Sequence, residues 1–150
     1  MRFAALFLFC ALCASAQDDQ KQVVSVVNKL FDGMAANDAR TIASTMTPDA
    51  RIVAAQDDRI SSRTGEEFAQ RFATNKNQGL ERIWDPTVLI RGRIAIVWAE
   101  YDYHLAGKFN HCGIDAFTLL KTDAGWRISG IQYTTETQGC KPSPLGPPKP

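Results

Sequence analysis

The 150-residue chain carries 17 basic and 16 acidic side chains, and 45% of its residues are hydrophobic. That balance leaves no basic stripe, which argues against nucleic acid or an anionic membrane surface as a partner. The length suits one domain with a full core.

The N-terminus reads "MRFAALFLFCALCASAQDD": Arg2, an apolar run from Phe3 to Ala14, the small-residue pattern Ala14-Ser15-Ala16, then abrupt charge. This is the layout of a secretory signal peptide over residues 1–16, cleaved after Ala16, and it implies a periplasmic or secreted protein. The apolar run falls short of the roughly 20 residues that span a bilayer, so no membrane contact is expected after cleavage. Cys10 follows Phe9 and Cys13 follows Leu12, whereas a lipoprotein site needs a small residue before its cysteine. Both cysteines leave with the leader. The mature chain keeps Cys112 and Cys140, and in an oxidising compartment two thiols tend to form a disulfide. Free thiols remain the alternative, because sequence does not show whether the two Cα atoms approach. A metal site does not fit, since zinc needs clustered ligands and His104 and His111 are the only histidines.

In chain order, Val23, Val24, Val27, Leu30, Phe31 and Met34 make one helical face, with Asp18 or Asp19 at its start. Asn37-Asp38 stops this helix and caps a second, in which Ala39, Ile42, Ala43 and Met46 share a side and which Pro48 ends. Residues 50–56 read as a short strand. Thr64 with Glu67 is a capping box for a third helix, striped by Phe68 and Phe72. Four segments rich in β-branched and aromatic residues follow. They are separated by turns at Arg91-Gly92-Arg93, Ala106-Gly107-Lys108 and Thr122-Asp123-Ala124-Gly125. Pro86 marks an edge position or a bulge. The Pro-rich residues 141–150 read as a disordered tail. Helices followed by an antiparallel run give an α+β fold, with helices packed on one face of a curved sheet. The domain spans residues 17–140.

The stretches "NDARTIASTMTPDARIV" (37–53) and "IAIVWAEYDYHLAGKFNHCGIDAFTLLKTDAGWRIS" (94–129), with this element order, resemble the NTF2-like superfamily. Within it they resemble the secreted SnoaL-like group, also labelled putative lumazine-binding. The resemblance implies a cone of three helices and a curved antiparallel sheet. The superfamily includes ketosteroid isomerases, dehydratases, polyketide cyclases and non-catalytic binding or dimerisation modules, so a shared fold does not select a chemistry.

Strand alternation about the Gly107 and Asp123-Ala124 turns places Tyr101 and Tyr103 on one face with His111, Gly113, Asp115 and Phe117. The same register adds Trp126, Gly130, Gln132 and Thr134 from the last strand. Gly113 and Gly130 are expected to leave room on this face. The opposite face carries Ile94, Ile96, Trp98, Cys112, Ile131 and Tyr133 and is apolar enough to suggest a homodimer. Because a one-residue bulge swaps faces, the assignment depends on an unbroken ladder.

The candidate catalytic residues are His111 and Asp115, a titratable pair in an apolar cone. They lie about 13 Å apart along one strand and are not a direct dyad. The candidate ligand-binding residues are Tyr101, Tyr103, Gln132, Trp126 and Phe117. Glu81-Arg82 reads as a solvated strand end, with an ion pair at the pocket mouth as the alternative. Asp38 and Asp49 have structural roles at a helix cap and a turn. No cofactor and no metal is called for. Three functions stay open: an exported protein binding a small amphipathic ligand, an enzyme moving a proton on a small carbonyl compound (isomerisation, dehydration or cyclisation), and a structural dimerisation module. Whether the chain is an enzyme is undecided by the sequence.

Overall fold

The computed structural model describes residues 9–56 and 58–148, with side chains from Gln17 onward. Helix α1 spans Phe9–Ala35, α2 Ala39–Ser44 and α3 Gly65–Ala73. The strands are β1 Met46–Gln56, β2 Arg59–Thr64, β3 Gly79–Arg91, β4 Ile94–Leu105, β5 Lys108–Thr122 and β6 Gly125–Thr134. Residues 1–8 of the expected signal peptide lie outside the described residues, as do the side chains of 9–16. Among the described residues no helix is long and apolar enough to cross a membrane.

The buried stripe of α1 follows its spacing, with Val23, Val27, Leu30, Phe31 and Met34 in the core, while Val24 stays half-buried at its edge. Asp18 and Asp19 do not cap the helix, because α1 begins upstream of them. Asp19 instead accepts hydrogen bonds from Lys121 Nζ (2.5 Å) and Trp126 Nε1 (3.2 Å), which ties α1 to the β5–β6 turn. Asn37, in the left-handed region at φ 53°, ends the helix. Asp38 Oδ1 then accepts the backbone N–H groups of Arg40 and Thr41 (3.0 Å each) and starts α2.

Helix α2 stops earlier than Pro48. Ile128 N–H donates to Thr45 O (2.9 Å), and Met46 pairs with Ile128, so the chain is already in the sheet. Pro48 sits where the β1 register shifts between Met46 and Arg51, a place that needs no donor. Strand β2 was not expected. Its sequence "RISSRT" has one large apolar residue, Ile60, which is 77% exposed, and the strand is held by its backbone ladder to β1. The Thr64–Glu67 capping box is present at the start of α3.

The sheet order is β2-β1-β6-β5-β4-β3. It is antiparallel except that β1 runs parallel to β6, a correction to the purely antiparallel expectation. The first hairpin also precedes the third helix. The helices cover one face, and Phe117, Trp126, Leu119 and Ile128 from the sheet meet α1 there, with Phe31 edge-on to Phe117 at 6.0 Å.

Three register shifts bend the later strands. One lies at Asp85-Pro86 in β3, one at Asn110 in β5 and one at Ser129 in β6. The last reverses the predicted faces. Up to Ile128 the even residues point to the core, and beyond Ser129 the odd residues Ile131 and Tyr133 do. Gly130 and Gln132 therefore leave the concave face, while Thr134 lies over Gly113.

Cys112 and Cys140 form a disulfide on the outer face. Residues 141–148 contain no helix or strand, and Arg82 Nη2 donates to Gly146 O (2.9 Å). Beneath this segment Asp102 binds Arg82 through two hydrogen bonds and lies 3.2 Å from His104 Nε2. The bridge spans a sequence separation of 28 residues, so Cys140→Ser should lower unfolding free energy in urea by about 3 kcal/mol. In the denatured but unreduced protein both thiols should resist alkylation; modification at both would show that they are not bridged.

Candidate functional site

Between the helices and the concave sheet lies a cavity of about 550 Å³. Its apolar part is built from Leu30, Phe31 and Met34 of α1, Phe68 and Phe72 of α3, Ile52 of β1, Phe117 of β5 and Ile131 of β6. Its polar part holds Glu81, Asp115, Tyr103, His111 and Tyr133, with Arg63, Arg71 and several amide side chains.

Glu81 and Asp115 stand on β3 and β5, with β4 between them, and their carboxyl groups hydrogen-bond to each other. Asp115 is 1% exposed, and its Oδ2 has no hydrogen-bond partner among the described residues. Two carboxylates cannot both ionise there, because burial penalises each charge and each penalises the other. Burial, then the charge of Glu81 and the hydrogen bond to it, push the Asp115 carboxyl well above its usual range. Burial also raises Glu81 to about 7, although the hydrogen bond from Asp115 pulls the other way. Both carboxyls are thus shifted toward the neutral form, Asp115 well above its usual range and Glu81 to about 7.

Tyr103 stands directly opposite Glu81 and His111 in the β4 ladders. Burial and then Glu81 raise its phenol. Gly79 makes room for it, since a β-carbon there would collide with the Tyr103 hydroxyl. His111 is partly buried, and burial lowers its pKa. Its Nδ1 lies 2.8 Å from Asn110 Oδ1, and its ring lies on Tyr103 with centroids 4.9 Å apart. The neutral ring is satisfied with Nδ1–H donating to Asn110.

Of the residues expected on this face, the cavity receives His111, Asp115, Tyr103 and Phe117. Tyr101 is buried beside it, and its hydroxyl donates to Thr134 O (2.6 Å), so it is not available to a ligand. Trp126 is 2% exposed in the core below, with its Nε1 bonded to Asp19. Gln132 is exposed on the opposite face, and Tyr133 takes the inward place, because of the Ser129 bulge. Gly113 does not open space: Tyr101 and Thr134 fill it. The residue that sequence reasoning passed over is Glu81. Its neighbour Arg82 does face outward, but Glu81 alternates with Ile83 on the inner face. No group of three or more His, Cys, Asp or Glu is placed to hold a metal among the described residues.

Residues 18–133 match the protein-family model described as "Putative lumazine-binding". The chain belongs to this family. Solved structures described as NTF2-like share its fold. It superposes on an NTF2-like protein with a cystatin-like fold from Novosphingobium aromaticivorans at TM-score 0.72 and 12% identity, covering 91% of this chain and 94% of that one. It is also similar to a protein from Streptomyces avermitilis described as a putative dehydratase of the NTF2-like family. There the TM-score is 0.66 and the identity 18%, over 80% of this chain and 97% of the other. A search of curated protein sequences gives no match. At these identities the structural likenesses establish the fold.

The carboxyl pair gives stability a definite pH dependence. The folded state keeps the Glu81 proton up to about 7, against an ordinary 4.5, so between those values it binds more protons than the unfolded chain. Stability contributed by that proton is complete below the ordinary value and is lost as pH rises through 7. Asp115 acts in the same direction. Asp102, whose burial is outweighed by Arg82, is held low, so its contribution is lost only in stronger acid. The melting temperature should therefore fall as pH rises from 4.5 past 7, and Glu81→Gln should flatten that slope. An equal slope in Glu81→Gln would show that Glu81 is not the group responsible.

Proposed function

We propose that this family member is exported after loss of residues 1–16 and binds a small amphipathic ligand in its cone. The observation that carries this reading is the pairing of an apolar cavity of about 550 Å³ with two protonation-coupled carboxyls at its polar end. Apolar walls with a few convergent polar groups are the usual composition of a small-molecule site. Burying Asp115 opposes folding, so a polar occupant gives that arrangement a purpose which a filled structural cone lacks. The Cys112–Cys140 disulfide accords with export.

A second reading, a proton-transfer enzyme, is favoured by one specific feature. Glu81 titrates near neutral pH beside a protonated Asp115, and Tyr103 stands opposite it. Glu81 as carboxylate takes a proton from carbon or oxygen of the ligand, and Asp115 or Tyr103 donates a hydrogen bond to the oxygen that gains charge. This serves isomerisation, dehydration or cyclisation of a carbonyl compound.

Native mass spectrometry of the protein taken from its own exported fraction tests binding. A reproducible small-molecule adduct is expected, and Ile131→Trp, which fills the cavity, should lose it while staying folded. A bare protein, or an adduct that survives Ile131→Trp, would count against the cone as the binding site. If the second reading holds, Glu81→Gln and Asp115→Asn keep the adduct and lose turnover of it.

The functional unit in this reading is a homodimer. Leu89, Ile94, Ile96, Trp98 and Leu120 form an apolar patch on the outer sheet face, with Trp98 53% and Leu89 62% exposed. A second copy covering this patch removes it from water. Sedimentation should give a dimer that Trp98→Glu converts to monomer; a monomeric wild-type protein would overturn the assembly.

A further inference from the structure

The paired carboxyls account for one end of the cavity and leave its two arginines unexplained. Arg63 comes from β2 and Arg71 from α3, and both line the cavity. Among the described residues neither makes a salt bridge. The nearby carboxylate, Glu67, accepts the Thr64 backbone N–H (2.7 Å) and the Thr64 hydroxyl (3.1 Å) in the capping box. Arg51 and Arg63 both act on Glu67 at longer range, so its single charge is shared and forms no salt bridge with Arg63. The Tyr133 hydroxyl is within electrostatic reach of Arg63, Arg71, Glu81 and Asp115, which places all four around one space.

An inward charge on an edge strand also discourages edge-to-edge pairing, and that alone would suffice for Arg63. It gives no reason for Arg71, which reaches the same space from a helix. Fixed charge decides between the two explanations. Burial disfavours the charged forms of Asp115 and His111, so the two arginines give the cavity an excess of positive charge. A water-filled cavity with that excess attracts an anion, and guanidinium groups match the planar fork of a carboxylate.

We infer that the occupant of the cone is an organic carboxylate with an apolar body, its charged end received by Arg63 and Arg71 and its uncharged polar end directed to Glu81 and Asp115. The inference rests on the ligand-binding reading and narrows the ligand class. The body lies against Phe68, Phe72 and Phe117, which is room enough for a bicyclic skeleton.

The test uses two probes of matched shape, 2-naphthoate and the uncharged 2-acetylnaphthalene. Each is titrated into ¹⁵N-labelled protein produced from the full 150-residue sequence. Amide shifts at Phe117, Ile131 and Tyr133 locate binding in the cone. The carboxylate should bind about tenfold more tightly, the size of one charge-assisted contact, and the advantage should shrink with added salt. In Arg63→Gln/Arg71→Gln the advantage should disappear while 2-acetylnaphthalene binds as before. Arg71→Gln alone, on the exposed side of α3, should lose part of it, which keeps the test informative if the double variant does not fold. Equal affinities in the wild-type cone, or a preference that survives in both variants, would overturn the anion assignment and leave the binding reading standing. Absence of cone shifts with either probe would overturn both.

Discussion

A six-stranded sheet encloses a cavity only if it bends away from the helices that cover it, and that bend is the constraint on which the rest of this molecule depends. Unbroken ladders twist but do not fold over. Each of β3, β5 and β6 contains a register shift, and each shift also reverses which side chains face inward. Curvature and chemistry are therefore set by the same residues. Without the shift at Asp85-Pro86, Glu81 would not share a face with Val88 and Ile90. Without the shift at Ser129, Tyr133 would point outward and Gln132 inward.

The inner surface this produces is energetically divided. Toward α1 the walls are close-packed, with Phe117, Trp126 and Ile128 at most 2% exposed. Toward the opening the sheet buries a carboxyl and offers it a second carboxyl as its hydrogen-bond partner. That arrangement does not favour folding at neutral pH: an apolar pair in place of Glu81 and Asp115 would remove both the desolvation penalty and the dependence on a shared proton. Natural proteins retain such elements mainly where a bound molecule or a reaction uses them. The weakness is confined to the polar end, and the ring of apolar contacts behind it supplies the stability that tolerates it.

This division explains which parts were legible in the sequence. A turn centred on Gly107 gives the pairing of Tyr101 with Gly113, Tyr103 with His111 and Ala99 with Asp115; the chain reaches that register through a tighter turn, Leu105 opposite Lys108, followed by the Asn110 bulge. The α1 stripe, the Asp38 cap and the Thr64–Glu67 box were equally local and equally readable. Glu81 was hidden for a definite reason. Reading alternation backward along β3 from Val88 and Ile90 puts Arg82 and Trp84 inside and Glu81 outside, and only the shift at Asp85-Pro86 corrects it. Pro86 signalled an irregularity but not its sense. At Ser129 no proline marked the change. Strand β2 was missed because an edge strand can be held by backbone pairing alone and needs no apolar pattern.

The polar end must still be held firmly, and the C-terminal segment does this from behind. Beyond β6 the chain crosses the outer face, where Cys112 and Glu136 exchange backbone hydrogen bonds of 3.0 and 2.9 Å. Thr134 Oγ1 accepts the Ile114 N–H (2.9 Å), while Thr134 O accepts the Tyr101 hydroxyl (2.6 Å). The Cys112–Cys140 bridge closes the same region, three residues from Asp115. These bonds join β4, β5 and the end of β6 at the level of the carboxyl pair, where hydrophobic packing is thinnest. A proton shared between two carboxyls survives only while water is kept from the inner one. If β5 loosened at Gly113, water would reach Asp115 and its raised pKa, caused first by burial, would fall. In this fold the disulfide and the Thr134 bonds therefore do more than secure a chain end: they brace the strand that buries Asp115, and burial is the first cause of its raised pKa.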